Sequence, residues 1–585
     1  MDEFFNMIKI TNTISCARKE IEMIRIIGGV FVAIFVVFLW PCLHAAENAA
    51  PMTLGKTSGR AVSLCVSGKD PDMRRAADRW KAFFIARKIP VKVFDSSKGR
   101  SVPEGPVIAF ETKEQAPMAR AVGADLSQLK TGLPESYLMI AKQRKGHPLI
   151  LIVGETSKGT DCGAAWLQSK VSCVYDKETK KWSATIKPIN ELRQPFFRGR
   201  EATLCPTGRI LRGDTAKKIN FELWSKEQLK RYPGFLKACG FNSIQVMELL
   251  KYRGGARREQ VAPAIHTLAD ATHQEGMSVS QYIWGSADGF RWDDPKTRKQ
   301  REQRYIGLAK TYGKYVDHII THWKDEGYED GYVIPQEATA FLLEQYKKYN
   351  PDIRVTQDAW FNGRFWSAWK GSKSKTFLDE AYTPKQVGIA LERWYDAKKA
   401  ALVKKAGRPV GIWGWYMGDF EMNYSSHILT RTIHKYYSAL PPEASRMVDW
   451  ISIELCFHTL PSQVNLYVGG QMMCDPKRSL DQIMFDYCHS VYGVANAQTM
   501  TEVYKVVEMG QKEYRYGMVK RDRYPKVHST PEFTGEAKSV LGKLERVELP
   551  VEWQPNFPTV SDPRDDIKSL RQSLEAFVRG KYPKF

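Results

Sequence analysis

The sequence predicts an α/β protein: a (β/α)8 TIM barrel, preceded by a small N-terminal α/β domain and followed by a C-terminal helical region. Three observations carry this reading. Between residues 195 and 475, short runs rich in β-branched and aromatic residues alternate with helix-length amphipathic segments, the pattern of repeated βα units on a parallel sheet. Those runs number eight, which is how many strands close such a barrel. After Asp475-Pro476 the alternation stops, and residues 476–585 read as helices separated by Pro-rich breaks.

The 585-residue length accommodates more than one domain and a large core. A composition 43% hydrophobic with 16 Trp excludes long-range disorder. The formal net charge of +22 attracts polyanions, but the cations are spread along the chain and form no single arm or stripe. We therefore expect no nucleic-acid partner, and a substrate, if charged, that is acidic or sulfated.

At the N-terminus, Arg25 precedes the apolar run Ile26 to Trp40, then Pro41 and the small residues Ala45 and Ala46. That is the layout of a secretory signal peptide, so residues 1–46 are set apart as a leader, cleaved near Ala45 or retained as an anchor. Met23 is an alternative start, and Cys42 an alternative lipidation site. A secreted or periplasmic location follows, with membrane contact only through this segment. Of ten Cys, Cys16 and Cys42 lie in the leader, and Cys162 with Cys173 is a candidate pair. No CxxC or HExxH occurs, so neither a metal nor another cofactor is expected.

The small domain is placed at residues 59–190. Strands are expected at Ala61 to Val66, Val91 to Phe94, Val107 to Phe110, Tyr137 to Ala141 and Leu149 to Val153, and helices at Pro71 to Lys88 and Gly163 to Lys170. The glycines between Ile150 and Leu167 lack the GK[ST] ending of a phosphate loop and are read as turn formers. For the barrel, residues 195–475, the expected strands are Phe196 to Ala202, Ser243 to Glu248, Ser278 to Trp284, Asp317 to Trp323, Ile353 to Trp360, Thr376 to Ala381, Val410 to Tyr416 and Trp450 to Phe457. Intervening helices include Lys226 to Ala238, Val261 to Gln274, Thr297 to Tyr315, Ala338 to Tyr349 and Pro384 to Lys405.

Barrel chemistry sits at the C-terminal strand ends. Carboxylates and rings recur there: Glu201, Glu248, Trp284, then His322, Trp323, Asp325 and Glu326, then Asp358 and Trp360, Trp413, Trp415, Tyr416, Asp419 and Glu421, and Glu454. Buried carboxylates are costly unless paired or bound to a polar ligand. Aromatic faces suit the apolar faces of pyranose rings, and carboxylates suit hydroxyls and acid/base work on a glycosidic bond. Trp413 and Trp415 alternate on one strand and are either barrel core or ligand contacts. His322, Asp325 and Asp358 have no metal-ligand spacing.

The run Ile152-Val153-Gly154 with Gly159, the segment Phe196-Phe197-Arg198-Gly199-Arg200-Glu201-Ala202, and the fourth-strand motif resemble bacterial β-hexosaminidases and α-glucuronidases. That resemblance implies a small α/β domain before a catalytic barrel and a glycoside hydrolase acting on a terminal N-acetylhexosaminide or uronide. It implies a sugar-contacting role for Arg198. Hexosaminidases end the fourth strand with H-x-G-G-D-E. Here His322-Trp323-Lys324-Asp325-Glu326 keeps the His and the Asp-Glu pair, replaces both glycines, and brings the His one residue closer. By this likeness Glu326 or Asp325 is the general acid, with Asp358 or Asp419 as its partner. Arg198, Glu201, Glu248, His322, Glu421 and the rings Trp284, Trp323, Trp360, Trp413, Trp415 and Tyr416 are the expected substrate contacts. The rival expectation is a non-catalytic glycan-binding protein on the same barrel.

Overall fold

The computed structural model describes residues 50–96, 103–130, 132–204, 221–248, 258–283, 292–322, 336–358, 385–392, 395–414, 428–454, 463–510 and 530–580. In the small domain the strands are β1 (Met52–Lys56), β2 (Val62–Val66), β3 (Val91–Asp95), β4 (Val107–Thr112), β5 (Tyr137–Arg144), β6 (His147–Gly154), β7 (Val171–Asp176), β8 (Lys181–Ile186) and β9 (Ile189–Arg193). Six form a mixed sheet in the order β3-β2-β4-β6-β5-β9, and β1-β8-β7 form a second, antiparallel one. Helix α1 (Pro71–Ala86) starts on an Asp70 cap with Pro71 in its first turn. It buries Met73, Ala76, Ala77, Trp80, Phe83 and Phe84, one helical face. The Trp80 indole N–H donates 2.9 Å to the Ala164 carbonyl of α2 (Ser157–Leu167), joining the two helices.

The glycines around α2 are packing devices. A Cβ on Gly154 would fall 2.2 Å from the Thr156 carbonyl oxygen, and one on Gly159 2.3 Å from that of Ser136. Only glycine lets the backbone approach this closely at both points.

The barrel is closed in sequence order by β10 (Gly199–Leu204), β11 (Ser243–Glu248), β12 (Ser278–Ile283), β13 (His318–His322), β14 (Arg354–Asp358), β15 (Gly388–Glu392), β16 (Val410–Trp413) and β17 (Trp450–Glu454). All its neighbours pair in parallel, β17 returning to β10. Around it run α3 (Lys226–Cys239), α4 (Arg258–Gln274), α5 (Pro295–Tyr312), α6 (Gln336–Lys347), α7 (Ala397–Lys405), α8 (Thr430–Ser438) and α9 (Gln463–Cys474). Helix α3 opens with a capping box between Ser225 and Gln228 and stops at Gly240, whose φ of 106° is the left-handed conformation that ends helices.

Two elements differ from the sequence expectation. The sixth strand is β15, the segment Gly-Ile-Ala-Leu-Glu, and not Thr376 to Ala381, which lies outside the described residues. Its Gly388 and Ala390 alternate with Ile389 and Leu391, and this weak pattern merged with the following helix into one expected helix. Helix α9 was not expected because Gln463 through Met473 are all buried, leaving no polar stripe to mark a period.

The C-terminal region holds α10 (Leu480–Tyr492), α11 (Ala497–Gly510), α12 (Pro531–Leu544) and α13 (Pro563–Val578). This region reaches back to the small domain: Arg87 donates to the Gln554 and Pro555 carbonyls at 2.8 Å, and Asn556 donates 2.6 Å to the Val171 carbonyl. Small domain and barrel meet through buried ions. Asp161 of α2 is fully buried and takes Arg79 at 2.6 Å, Arg75 at 3.0 Å and Lys237 of α3 at 3.1 Å, while Arg79 also pairs with Glu275. Burial alone would raise the pKa of Asp161, but the three cations outweigh it and hold the carboxyl well below the usual range.

Cys162 and Cys173 are free thiols rather than a disulfide; the Cys173 thiol lies against the Arg87 guanidinium. Among the described residues no helix is long and apolar enough to cross a membrane. The leader, residues 1–46, lies outside them.

Two outcomes follow from these buried carboxyls. Replacing Asp161 by Asn removes the buried anion shared by Arg75, Arg79 and Lys237 and should cost about 3–5 kcal/mol in urea unfolding of the full chain. Glu548→Gln, which breaks an exposed pair with Lys177, should leave the midpoint unchanged. Asp566 is buried beside the Tyr492 and Ser561 hydroxyls, and burial pushes its carboxyl up to about 8. Its folded pKa therefore exceeds the unfolded value of about 4, so its contribution is complete at acid pH and is lost as pH rises through 8. Unfolding free energy should fall between pH 5 and 7 with a slope approaching ~1.4 kcal/mol per pH unit from this group and level off above pH 8. Asp566→Asn should remove that slope.

Candidate active site

Successive residues of a strand face opposite sides. On β10 to β17 the apolar parity, including Ile244, Val279, Ile319, Val355, Ile389, Ile412 and Ile451, packs outward into the core shared with the helices. The other parity fills the barrel, and much of it is polar. Near the N-terminal mouth, Glu201 accepts hydrogen bonds from Ser243 at 2.9 Å, from Gln245 at 2.6 Å and from Ser280. His318 bridges Ser280 at 3.3 Å and Thr356 at 2.7 Å, with Trp450 edge-on at 5.4 Å. Burial raises the Glu201 pKa against the pull of these donors. Burial, reinforced by the Arg354 charge, holds His318 well below its ordinary value, so its ring is neutral.

Further along the axis, the Trp413 indole N–H donates 2.9 Å to Gln245 Oε1, which also accepts from Thr203 at 3.2 Å. The ring lies parallel to Tyr282, with centroids 4.5 Å apart. On the same strand Gly411 makes room for the Trp450 ring, 2.2 Å from where a Cβ would stand.

The C-terminal strand ends complete the geometry. His322 of β13 and Asp358 of β14 are register partners, so their backbones are neighbours across one strand spacing of about 4.8 Å. Asp358 is in turn level with Ala390, Glu392 of β15 is level with Trp413, and Glu454 of β17 is level with Thr203. His322, Asp358, Glu392 and Glu454 share the parity of Ile320, Thr356, Ala390 and Ser452. Among them, Glu392 was missed by sequence reasoning, because Gly-Ile-Ala-Leu-Glu had been absorbed into a helix.

The structure separates other candidates from this rim. Arg198 precedes β10 and is exposed at the N-terminal mouth, because the strand begins at Gly199 and not at Phe196; the Phe196 and Phe197 amides are tied to α9 carbonyls instead. Glu201 is the third residue of β10 and belongs to the buried lower layer. Glu248 is the last residue of β11. Trp413 has no exposed surface and is barrel core. Trp284, Trp323, Asp325, Glu326, Trp360, Trp415, Tyr416, Asp419 and Glu421 lie outside the described residues. Among the described residues no group of His, Cys, Asp and Glu could hold a metal ion.

No protein-family model and no curated protein sequence matches the chain. Solved structures do. A GH138 enzyme targeting pectin rhamnogalacturonan II superposes with a TM-score of 0.55 at 10% identity, covering 89% of this chain and 86% of that one. The structure of CpGH84D gives 0.53 at 11% identity, covering 90% and 86%. BtGH115A, a family GH115 4-O-methyl-alpha-glucuronidase with specificity for decorated arabinogalactans, gives 0.53 at 13%, covering 91% and 74%. The chain shares its fold with these structures. The coverage takes in the small domain and the helices beyond the barrel as well as the barrel itself.

If Trp413 is core, its phenylalanine variant should be a stability variant. Trp413→Phe keeps a ring against Tyr282 and removes one hydrogen bond whose acceptor still has Thr203, so urea unfolding should show a loss of about 1 kcal/mol. A sugar platform would instead leave the midpoint in place and raise KM.

Proposed function

We propose that the protein is a glycoside hydrolase that removes a terminal sugar from a polysaccharide or glycan by carboxylate acid/base catalysis. The observation that carries this reading is the C-terminal rim, where His322, Asp358, Glu392 and Glu454 end four strands on one parity of a closed parallel barrel. A leaving glycosidic oxygen needs a proton, and the anomeric carbon needs a nucleophile or an activated water on its other face. Asp325 and Glu326 follow β13 directly in sequence, within a few residues of His322, and are the assigned acid pair. Asp358, with Glu392 and Glu454 as further candidates, supplies the partner, and Asp419 is the candidate from the segment after β16.

A uronide is the favoured substrate, on the activity named for the GH115 structure and on the +22 net charge, which would draw in acidic glycans. The Asp325-Glu326 pair behind His322 favours an N-acetylhexosaminide as the second reading. The layout of Arg25, Ile26 to Trp40 and Ala45 supports export to the periplasm or medium, with or without a retained anchor.

The test is a panel of aryl uronides and aryl N-acetylhexosaminides. Wild-type protein should turn over one class, and Glu326→Gln and Asp358→Asn should each lower kcat/KM by about 10²–10⁴-fold, the usual contribution of an acid or base. Full activity in both variants would move the chemistry elsewhere on the rim. Glycan binding without turnover of any substrate would support the lectin-like rival.

A further inference from the structure

At the N-terminal mouth, opposite the C-terminal rim, the small domain and the barrel line an open cleft of about 400 Å³. Four carboxylates line it, and each is already engaged. Glu135 is paired with Arg200 and accepts from Asn242 at 3.0 Å. Glu201 takes Ser243, Ser280 and Gln245. Asp317 accepts from His273 at 2.9 Å and from the Val279 amide at 2.8 Å. Asp449 is bound by Lys404 at 2.6 Å and by the Val410 amide at 2.7 Å.

The cations are in a different position. Arg200 is spent on Glu135 and on the Gly240 and Phe197 carbonyls. Lys158, Arg198 and Arg354 also line the cavity, and among the described residues none of their side chains has a hydrogen bond or salt bridge. Lys158 stands in the first turn of α2, whose positive dipole end adds to its charge. Arg354 lies near enough to Glu201, Asp317 and His318 for its charge to be felt by all three. The cleft thus carries engaged anions and three exposed cations that no carboxylate holds in a direct pair, two of them guanidiniums with the fork geometry that matches oxyanions.

We propose that this cavity binds a small oxyanion, a phosphate, sulfate or carboxylate group, through Arg198, Arg354 and Lys158. It would be a second ligand site, remote from the C-terminal rim and independent of the activity assigned there. Arg198, placed on this face by the start of β10, has its role here.

The probes are inorganic phosphate, sulfate and acetate, titrated calorimetrically into the full chain at constant ionic strength. Wild-type protein should bind at least one of them saturably at one site per chain, and Arg198→Gln and Arg354→Gln should each weaken that binding about tenfold or more, the scale of a charge-assisted hydrogen bond. Lys296→Gln/Lys299→Gln, which removes two exposed charges from α5, should leave it unchanged. The ranking of the three probes identifies the group carried by the ligand. A second readout needs no variant: the bound anion should slow acetylation of Lys158, followed by mass spectrometry, relative to Lys296. Absence of saturable binding for all three probes, or equal weakening in the α5 control, would overturn the proposal. So would unaltered Lys158 acetylation at an anion concentration that saturates the calorimetric site.

Discussion

Closing eight parallel strands into a barrel creates an interior that side chains must fill, and in this protein the filling includes an ionisable carboxyl. Glu201 lies where Val, Ile or Leu usually dominates. Desolvation makes such a group costly unless donors surround it, and Ser243, Ser280 and Gln245, one or two strands away, provide them. The chain of contacts then runs from Gln245 to Trp413 and from Ser280 through His318 to Thr356. Half the barrel circumference is therefore cross-linked by directional bonds. A network of this kind fixes strand register as well as filling space, because a one-residue slip would bring outward apolar residues into a set of unsatisfied polar ones. The rim inherits its geometry from that register.

A second constraint holds the other regions to the barrel. Asp161 is surrounded by Arg75, Arg79 and Lys237, and Glu135 by Arg200 and Asn242, so the small domain is fastened through buried charges at the N-terminal side. The segment after α12 closes the arrangement from the opposite direction, through Arg87, Trp553 and Asn556. Buried ion pairs add little net stability over apolar packing, but they tolerate few alternative geometries. This is the physical basis for one continuous three-part body, and it matches the long coverage in the structural comparisons.

The three regions were legible in the sequence for reasons that differ by element. Strands such as β11 and β13 are short β-branched runs with clear ends, and their bounds agree with the expectation to within a residue or two. The sixth strand and α9 were illegible for opposite reasons: Gly388 and Ala390 gave β15 too weak a signal, and burial on every side gave α9 no period. The candidate site divides in the same way. His322 and Asp358 could be read as strand-end residues because apolar alternation runs straight into them. Glu392 could not, since it ends the strand that was missed, and the role of Arg198 came from a resemblance in short motifs, which does not say at which mouth of the barrel the residue stands.

What the sequence determined by itself was local: the βα repeat, the change to helices after Asp475-Pro476, and the clustering of carboxylates and rings behind strand-length runs. These depend on periodicity and composition, which are written along the chain. Tertiary structure alone decided which residues share a layer, that Trp413 is core, that Glu201 is held by donors from neighbouring strands, and that Arg198, Arg354 and Lys158 of another domain line one cleft. Those facts depend on strand register and domain docking, and both are set by contacts between residues distant in sequence.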